Sequence, residues 1–204
     1  MAASKAFKEA LSLYLTDGSA KGRARSSLSI AELALRRTDY NGAYKAYKEA
    51  LPLFRTTGNV LGEANCIFGL GKIALRRMDN KGAYKAFKKA LPLFRSSGGR
   101  RGEADCILCL GQIALRRRDH EAARKAYEDA LSIFRTAGDA RGEAECIFSL
   151  GQIAFRSGAH EEARAACEEA LSLYRLSGTV DGEANCIFSL GQIAFRSGAH
   201  EEAR

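Results

Sequence analysis

The sequence predicts an all-α fold, a solenoid of stacked antiparallel helix pairs, and three observations carry that reading. The first is a forty-residue period: Gly62-Glu63-Ala64-Asn65-Cys66-Ile67 returns as Gly102-Glu103-Ala104-Asp105-Cys106-Ile107, as Gly142-Glu143-Ala144-Glu145-Cys146-Ile147 and as Gly182-Glu183-Ala184-Asn185-Cys186-Ile187. A fixed period of this length marks an array whose repeats bury their apolar faces against their neighbours. The second is punctuation. Gly18, Gly58, Gly98, Gly138 and Gly178 fall one period apart, and Ser19, Asn59, Gly99, Asp139 and Thr179 follow them. A left-handed glycine closes one helix and a favoured N-cap opens the next. The third is a composition rich in Ala, Leu, Arg, Glu and Lys with only two prolines, which favours helix and leaves no linker.

The elements follow in order along one domain, residues 1–204. Residues 1–21 form a half-repeat holding one helix of the second type (B), because Ala6, Phe7, Ala10 and Leu11 match Ala46, Tyr47, Ala50 and Leu51. Complete repeats span 22–61, 62–101, 102–141 and 142–181, and the partial repeat 182–204 holds a helix of the first type (A). In the second complete repeat, helix A is expected over Val60–Arg77. Asp39, Asp79 and Asp119 are placed to cap helix B; Ala159 and Ala199 lack that oxygen, which leaves Ser157 and Ser197 as the expected caps. Ala83, Phe87, Ala90, Leu91 and Phe94 give helix B the i, i+3/i+4 stripe of a buried face. Pro52 and Pro92 fall inside B helices, where proline removes a backbone bond, so the chain is expected to bend or thin there.

Composition bounds the function. No apolar run approaches the roughly 20 residues that span a bilayer, and no signal-peptide core follows Met1, so a cytoplasmic, membrane-free protein is expected. The net charge of +8 is polarised: residues 1–100 hold 19 Lys and Arg against 7 Asp and Glu (+12), and residues 101–204 hold 13 against 17 (−4). Cys66, Cys106, Cys146 and Cys186 recur with the period, with Cys109 and Cys167 as extras. Helix axes about 8–10 Å apart exceed the roughly 7 Å limit for a disulfide, so these read as small buried hydrophobes. Cys106-x-x-Cys109 has no second pair. His120, His160 and His200 sit one per repeat beside a helix start and read as solvated turn residues, so no metal or cofactor is expected. No glycine-rich phosphate loop and no nucleophile with a base argue against an enzyme. Lys5, Lys8, Lys45, Lys48, Lys85, Lys88 and Lys89, with Tyr44 and Tyr84, form a basic face that a solvated outer surface explains without nucleic acid.

Leu70-Gly71 with Ala83, Phe87 and Ala90, and Leu110-Gly111 with Ala123, Tyr127 and Ala130, resemble the tetratricopeptide repeat, in which Leu-Gly precedes Ala-x3-aromatic-x2-Ala. Leu150-Gly151 with Ala163 and Ala170 matches too, with Cys167 for the aromatic, and Gly158-Ala159-His160-Glu161-Glu162-Ala163 looks like the family's inter-helix turn. The first repeat departs, with Ile30-Ala31 for Leu-Gly. The forty-residue period is longer than the family's usual 34 or so; it is similar to the long-helix arrays of polarity adaptors and of NACHT or NB-ARC signalling ATPases. The resemblance implies a right-handed superhelix with helix A lining a concave face.

The resemblance also implies where ligands sit. Its offsets give an apolar row, Phe68, Leu108, Phe148 and Phe188, and a polar row, Lys72, Gln112, Gln152 and Gln192. They add Phe155, an arginine row, Arg76, Arg116, Arg156 and Arg196, and the positions Asp105 and Glu145. Apolar rows offer pockets, glutamines bond a peptide backbone, and arginines pair with carboxylates. The expected partner is therefore an acidic and apolar peptide. The chaperone-tail binders carry cations and Asn where this chain has Phe and Gln, so a carboxylate clamp is not expected.

A self-assembling module is the alternative. Ile187, Leu190 and Ile193 in the partial repeat, and Phe7, Leu11 and Tyr14 in the leading helix, are expected to be exposed. Joining 182–204 of one copy to 3–18 of the next would restore a near-complete repeat head to tail.

Overall fold

The computed structural model describes the backbone of residues 2–202 and the side chains of residues 5–198. Ten α-helices and no strand occupy the described residues. They are α1 (Ala2–Thr16), α2 (Ala20–Arg36), α3 (Tyr40–Thr56), α4 (Val60–Arg76), α5 (Asn80–Ser96), α6 (Arg100–Arg116), α7 (His120–Ala137), α8 (Ala140–Arg156), α9 (His160–Leu176) and α10 (Val180–Glu202). Even-numbered helices are of type A and odd-numbered ones of type B. The chain divides into an N-terminal unit, Met1–Cys106, and a C-terminal unit, Ile107–Arg204. In the first, α1 to α5 pack each on the next and α2 also reaches α4. In the second, α7 to α10 do the same and α8 also reaches α10. None of the described helices is long and apolar enough to cross a membrane.

The joints explain the period. At both kinds of joint the helix closes through a backbone bond from an N–H to the carbonyl five residues back: Asn59 to Phe54 (2.9 Å), Asp79 to Ala74 (2.9 Å), Asp139 to Phe134 (3.0 Å). Such a closure puts one residue in the left-handed region. Gly58 (φ 67°) and Gly138 (φ 66°) meet that demand without cost, as does Gly158 (φ 83°). Thr38, Met78 and Arg118 take the same conformation at φ 60–63° with a Cβ in place, which costs roughly 1–2 kcal/mol each. N-cap oxygens then open the next helix. Asp39 Oδ1 accepts from the Gly42 N–H at 2.9 Å, Asn59 Oδ1 from Gly62 at 2.8 Å, Asp79 Oδ1 from Gly82 at 2.8 Å, and Asp119 Oδ1 from Ala122 at 3.0 Å.

Two expected caps are corrected. Ser157 donates backwards to the Ala154 carbonyl at 2.8 Å, and α9 starts behind Ala159 with no side-chain cap. Ser197 lies inside α10, which runs unbroken to Glu202 instead of turning after helix A. Alanine and glutamate in Ala-His-Glu-Glu are good helix formers, and the helix runs on through them. The prolines do not interrupt the chain either. Pro52 and Pro92 lie inside continuous 17-residue helices on the exposed side, where the missing N–H is least felt.

Two sets of glycines admit the aromatic core. A Cβ on Gly71 or Gly111 would come within 2.7 Å of Phe87 or 2.8 Å of Tyr127, so the Leu-Gly pair exists to seat the helix B aromatic of its own repeat. In the next repeat Cys167 replaces that ring, and Gly151 instead faces the Ala166 methyl at 2.9 Å. The second set joins one repeat to the next: Gly62, Gly102, Gly142 and Gly182 lie against Phe54, Phe94, Phe134 and Tyr174, where a Cβ would stand 2.3–2.4 Å from the ring. At the same joints Arg55–Glu63 (2.7 Å), Arg95–Glu103 (2.7 Å) and Arg135–Glu143 (2.8 Å) bridge the helices. These exposed pairs contribute about 0–1 kcal/mol each, so ring burial decides stability.

All six cysteines are buried thiols that form no disulfide. Burial, with Glu32 nearby, pushes the Cys66 thiol up to about 12, and burial also raises Cys106 and Cys167. They are protonated at neutral pH and serve as apolar filling.

Candidate functional site

The A helices carry the candidate face. Gln112 Nε2 on α6 donates to Glu145 Oε1 on α8 at 3.3 Å, so the polar row of one A helix touches the carboxylate row of the next. Gln152, Glu145 and Asp105 are half-buried; Lys72, Gln192 and the arginine row Arg76, Arg116, Arg156 and Arg196 are exposed. Arg76, Arg116 and Arg156 end their helices, where the helix dipole favours a cation with or without a ligand, whereas Arg196 lies inside α10.

The apolar row sits deeper. Phe68 packs against Phe87 (5.5 Å) and Phe94 (6.1 Å), with the Lys72 ammonium 5.6 Å from its centroid. Phe148 packs against the buried cluster that holds Ala170 and Tyr174, and both Phe148 and Phe155 pack against the one that holds Ala163 and Cys167. Phe68, Phe148 and Phe155 are half-buried, whereas Phe188 on α10 is 68% exposed. Leu108 is the correction: at 4% exposed it is part of the buried core and offers a ligand nothing. Phe155 also holds two polar neighbours, the Arg196 guanidinium 4.9 Å from its centroid and the His160 ring at 5.7 Å. His160 is thus a packed residue and not a solvated one; His120 is exposed and His200 lies outside the described side chains. No group of three potential metal ligands occurs among the described residues.

The residues expected to self-associate divide. Ile187 (53%) and Phe188 (68%) are exposed on α10. Leu190 is half-buried, and Ile193 is 1% exposed, packed on Ala154, Ala163 and Cys167, because α9 and α8 already cover that side of α10. Phe7 and Leu11 are half-buried. Tyr14 is partly exposed, but its ring is seated against Gly22 of α2.

One feature was not anticipated. A groove of about 790 Å³ runs between the first half of α7 and the end of α8, with His120, Glu121, Arg124, Lys125, Glu128 and Asp129 on one wall and Ile153, Arg156 and Ser157 on the other. Charged residues at i, i+4 spacing along one side of α7 were its signal in the sequence. Arg156 therefore belongs to this groove as well as to the A-helix row.

The Tetratricopeptide repeat profile matches residues 63–136, 103–175 and 143–204, which together span more than half of the sequence. The chain belongs to the tetratricopeptide repeat family. No curated protein is significantly similar to it in sequence. Among solved structures it is similar to BtubC from P. vanneervenii, at 18% identity and a TM-score of 0.68, over 97% of this chain and 90% of that one. It is similar to a Rap protein complexed with Competence and Sporulation Factor, at 15% identity and a TM-score of 0.76, over 95% of this chain and 54% of the other. A third is the Rap conjugation gene regulator of plasmid pLS20 in complex with the Phr* peptide, at 18% identity and a TM-score of 0.71, over 88% and 50%. The chain spans about half the length of these Rap proteins. At such identities the likeness shows the tetratricopeptide fold alone.

Proposed function

We propose that this tetratricopeptide array is a protein-interaction scaffold, not an enzyme, whose A-helix face binds an extended peptide with acidic and apolar residues. The observation that carries the reading lies on α8, where exposed Arg156 ends the helix beside half-buried Gln152, Phe148 and Phe155, with exposed Arg116 and half-buried Gln112 at the matching places on α6. Guanidinium groups take carboxylates in a fork, glutamine takes backbone, and ring edges take apolar side chains. The Rap structure named for its bound Phr* peptide supports a peptide as the ligand class. Six buried thiols outside any disulfide suit a reducing compartment such as the cytoplasm.

The test begins with peptides selected on the unmodified protein from a random library, labelled for fluorescence anisotropy. The selected sequences should be enriched in Asp and Glu. Arg116→Ala with Arg156→Ala should weaken them about tenfold and flatten the salt dependence, since each charge-assisted bond is worth about 1.5–3 kcal/mol when shielded and less when exposed. Selection of neutral or basic peptides, or unchanged affinity in the double variant, would refute the arginine assignment.

A second reading, head-to-tail self-association, rests on an internal comparison. Residues 186–202 repeat 146–162 residue for residue. In the earlier copy Ile147 is 4% exposed and Phe148 half-buried, whereas Ile187 and Phe188 stand open. The face on α10 is one that a B-type helix covers elsewhere in the molecule, and α1 of a second copy has that pattern. The contact would be heterologous and so open-ended. Ala3 and residues 199–204 of the proposed joint lie outside the described side chains. Light scattering should show mass rising with concentration, and Phe188→Glu should abolish the rise. A constant mass would exclude this reading.

A further inference from the structure

We propose that the outer face of α3 and α5 in the N-terminal unit binds single-stranded nucleic acid. Lys45 and Lys48 on α3 and Lys85, Lys88 and Lys89 on α5 are all exposed, and none has an ion-pair partner among the described residues. Along α5 there is no carboxylate, and along α3 only Glu49; Asp39 and Asp79 beside them are spent on capping.

The C-terminal unit shows what the same scaffold does without such a task. There the neighbouring B helices α7 and α9 are tied by Arg124–Glu162 at 3.4 Å and Arg135–Glu169 at 3.3 Å. Eighty residues earlier, the positions of Arg135 and Glu169 hold Arg55 and Lys89. An ion-pair position has become two cations, of which Arg55 keeps Glu63 at 2.7 Å and Lys89 has no such partner, which leaves excess positive charge to an external anion. The position of Arg124 holds Tyr44, and the position after one further repeat holds Tyr84. Both rings are exposed, at 42% and 37%, although the later repeats show that the core does not need an aromatic there. The Arg77 guanidinium lies 5.8 Å from the Tyr44 centroid. Exposed aromatics set among cations are stacking platforms for unpaired bases. An anionic membrane fits less well, because Tyr44 and Tyr84 are the only large exposed apolar side chains on these two helices and nothing greasier is offered for insertion.

The probe is a fluorescein-labelled oligothymidylate of about 20 nucleotides, followed by anisotropy. Five phosphate contacts predict a log–log salt slope of about −3.5, a loss of about 100-fold between about 50 and 200 mM salt. Lys89→Glu should lower affinity about tenfold without lowering the melting temperature, since it gives Arg55 the partner that Arg135 has in Glu169. Tyr44→Ala with Tyr84→Ala should cost about another tenfold for the oligonucleotide while leaving heparin binding within about twofold. Arg116→Ala with Arg156→Ala should leave oligonucleotide binding intact, which separates this surface from the peptide face. The proposal is overturned by any of three results: no saturable binding at the lower salt, a duplex of equal length bound more tightly, or oligonucleotide affinity unaltered in the tyrosine variant. Displacement of the oligonucleotide by phosphatidylserine vesicles with greater avidity would likewise assign the face to a membrane instead.

Discussion

Replacing Phe87 with alanine is expected to cost about 4 kcal/mol, the loss typical of a buried phenylalanine reduced to a methyl. The ring is fully buried, touches Phe68 at 5.5 Å and is seated on the open backbone at Gly71. Thermal melting should fall by roughly 12 °C, taking about 3 °C per kcal/mol for a chain of this length. The sharper test is the companion change. Gly71→Ala should be damaging by itself, because its Cβ would stand 2.7 Å from the ring, yet nearly harmless once Phe87 is alanine. The two changes should therefore show a coupling of order 1–3 kcal/mol in a double-mutant cycle. Simple additivity would mean that the Leu-Gly pair is not there to admit the aromatic.

Gly142→Ala should destabilise by about 2 kcal/mol net, lowering the melting temperature by about 6 °C. The new methyl would lie 2.3 Å from Phe134, a ring 1% exposed that has nowhere to go, and this overpacking outweighs the helix propensity alanine brings. Gly191→Ala is the control: nothing lies within 4 Å of the Cβ it would add, so the same exchange in α10 should stabilise by about 1 kcal/mol. If both variants melt alike, contact between Phe134 and Gly142 does not hold consecutive repeats together.

The elements were legible where one residue sets a backbone conformation. Gly58, Gly138 and Gly178 are left-handed as their spacing implies, and Asn59, Asp79 and Asp119 cap as their oxygens imply. The misreadings arise where a neighbour decides. Ser157 had two carbonyl or N–H partners within reach and bonded backwards to Ala154. Ile193 is buried where its place in the partial repeat implies exposure, because it packs with Ala154 of α8 and Ala163 and Cys167 of α9. Leu108 shares a register with Phe148, and register alone does not tell a buried leucine from a ring whose edge reaches water. The α7 groove and the cationic Arg55–Lys89 position depend on which B helices adjoin, a fact no single helix displays.

The two kinds of joint differ in their reserve. Where helix B gives way to helix A the left-handed residue is Gly58, Gly98 or Gly138, whereas the joints after α2, α4 and α6 place Thr38, Met78 and Arg118 there. Each of these three holds its Cβ against the backbone at a cost of roughly 1–2 kcal/mol, part of which glycine would relieve without touching the core. The array thus carries an untapped margin of stability in its turns, spread over three separate places along the sequence.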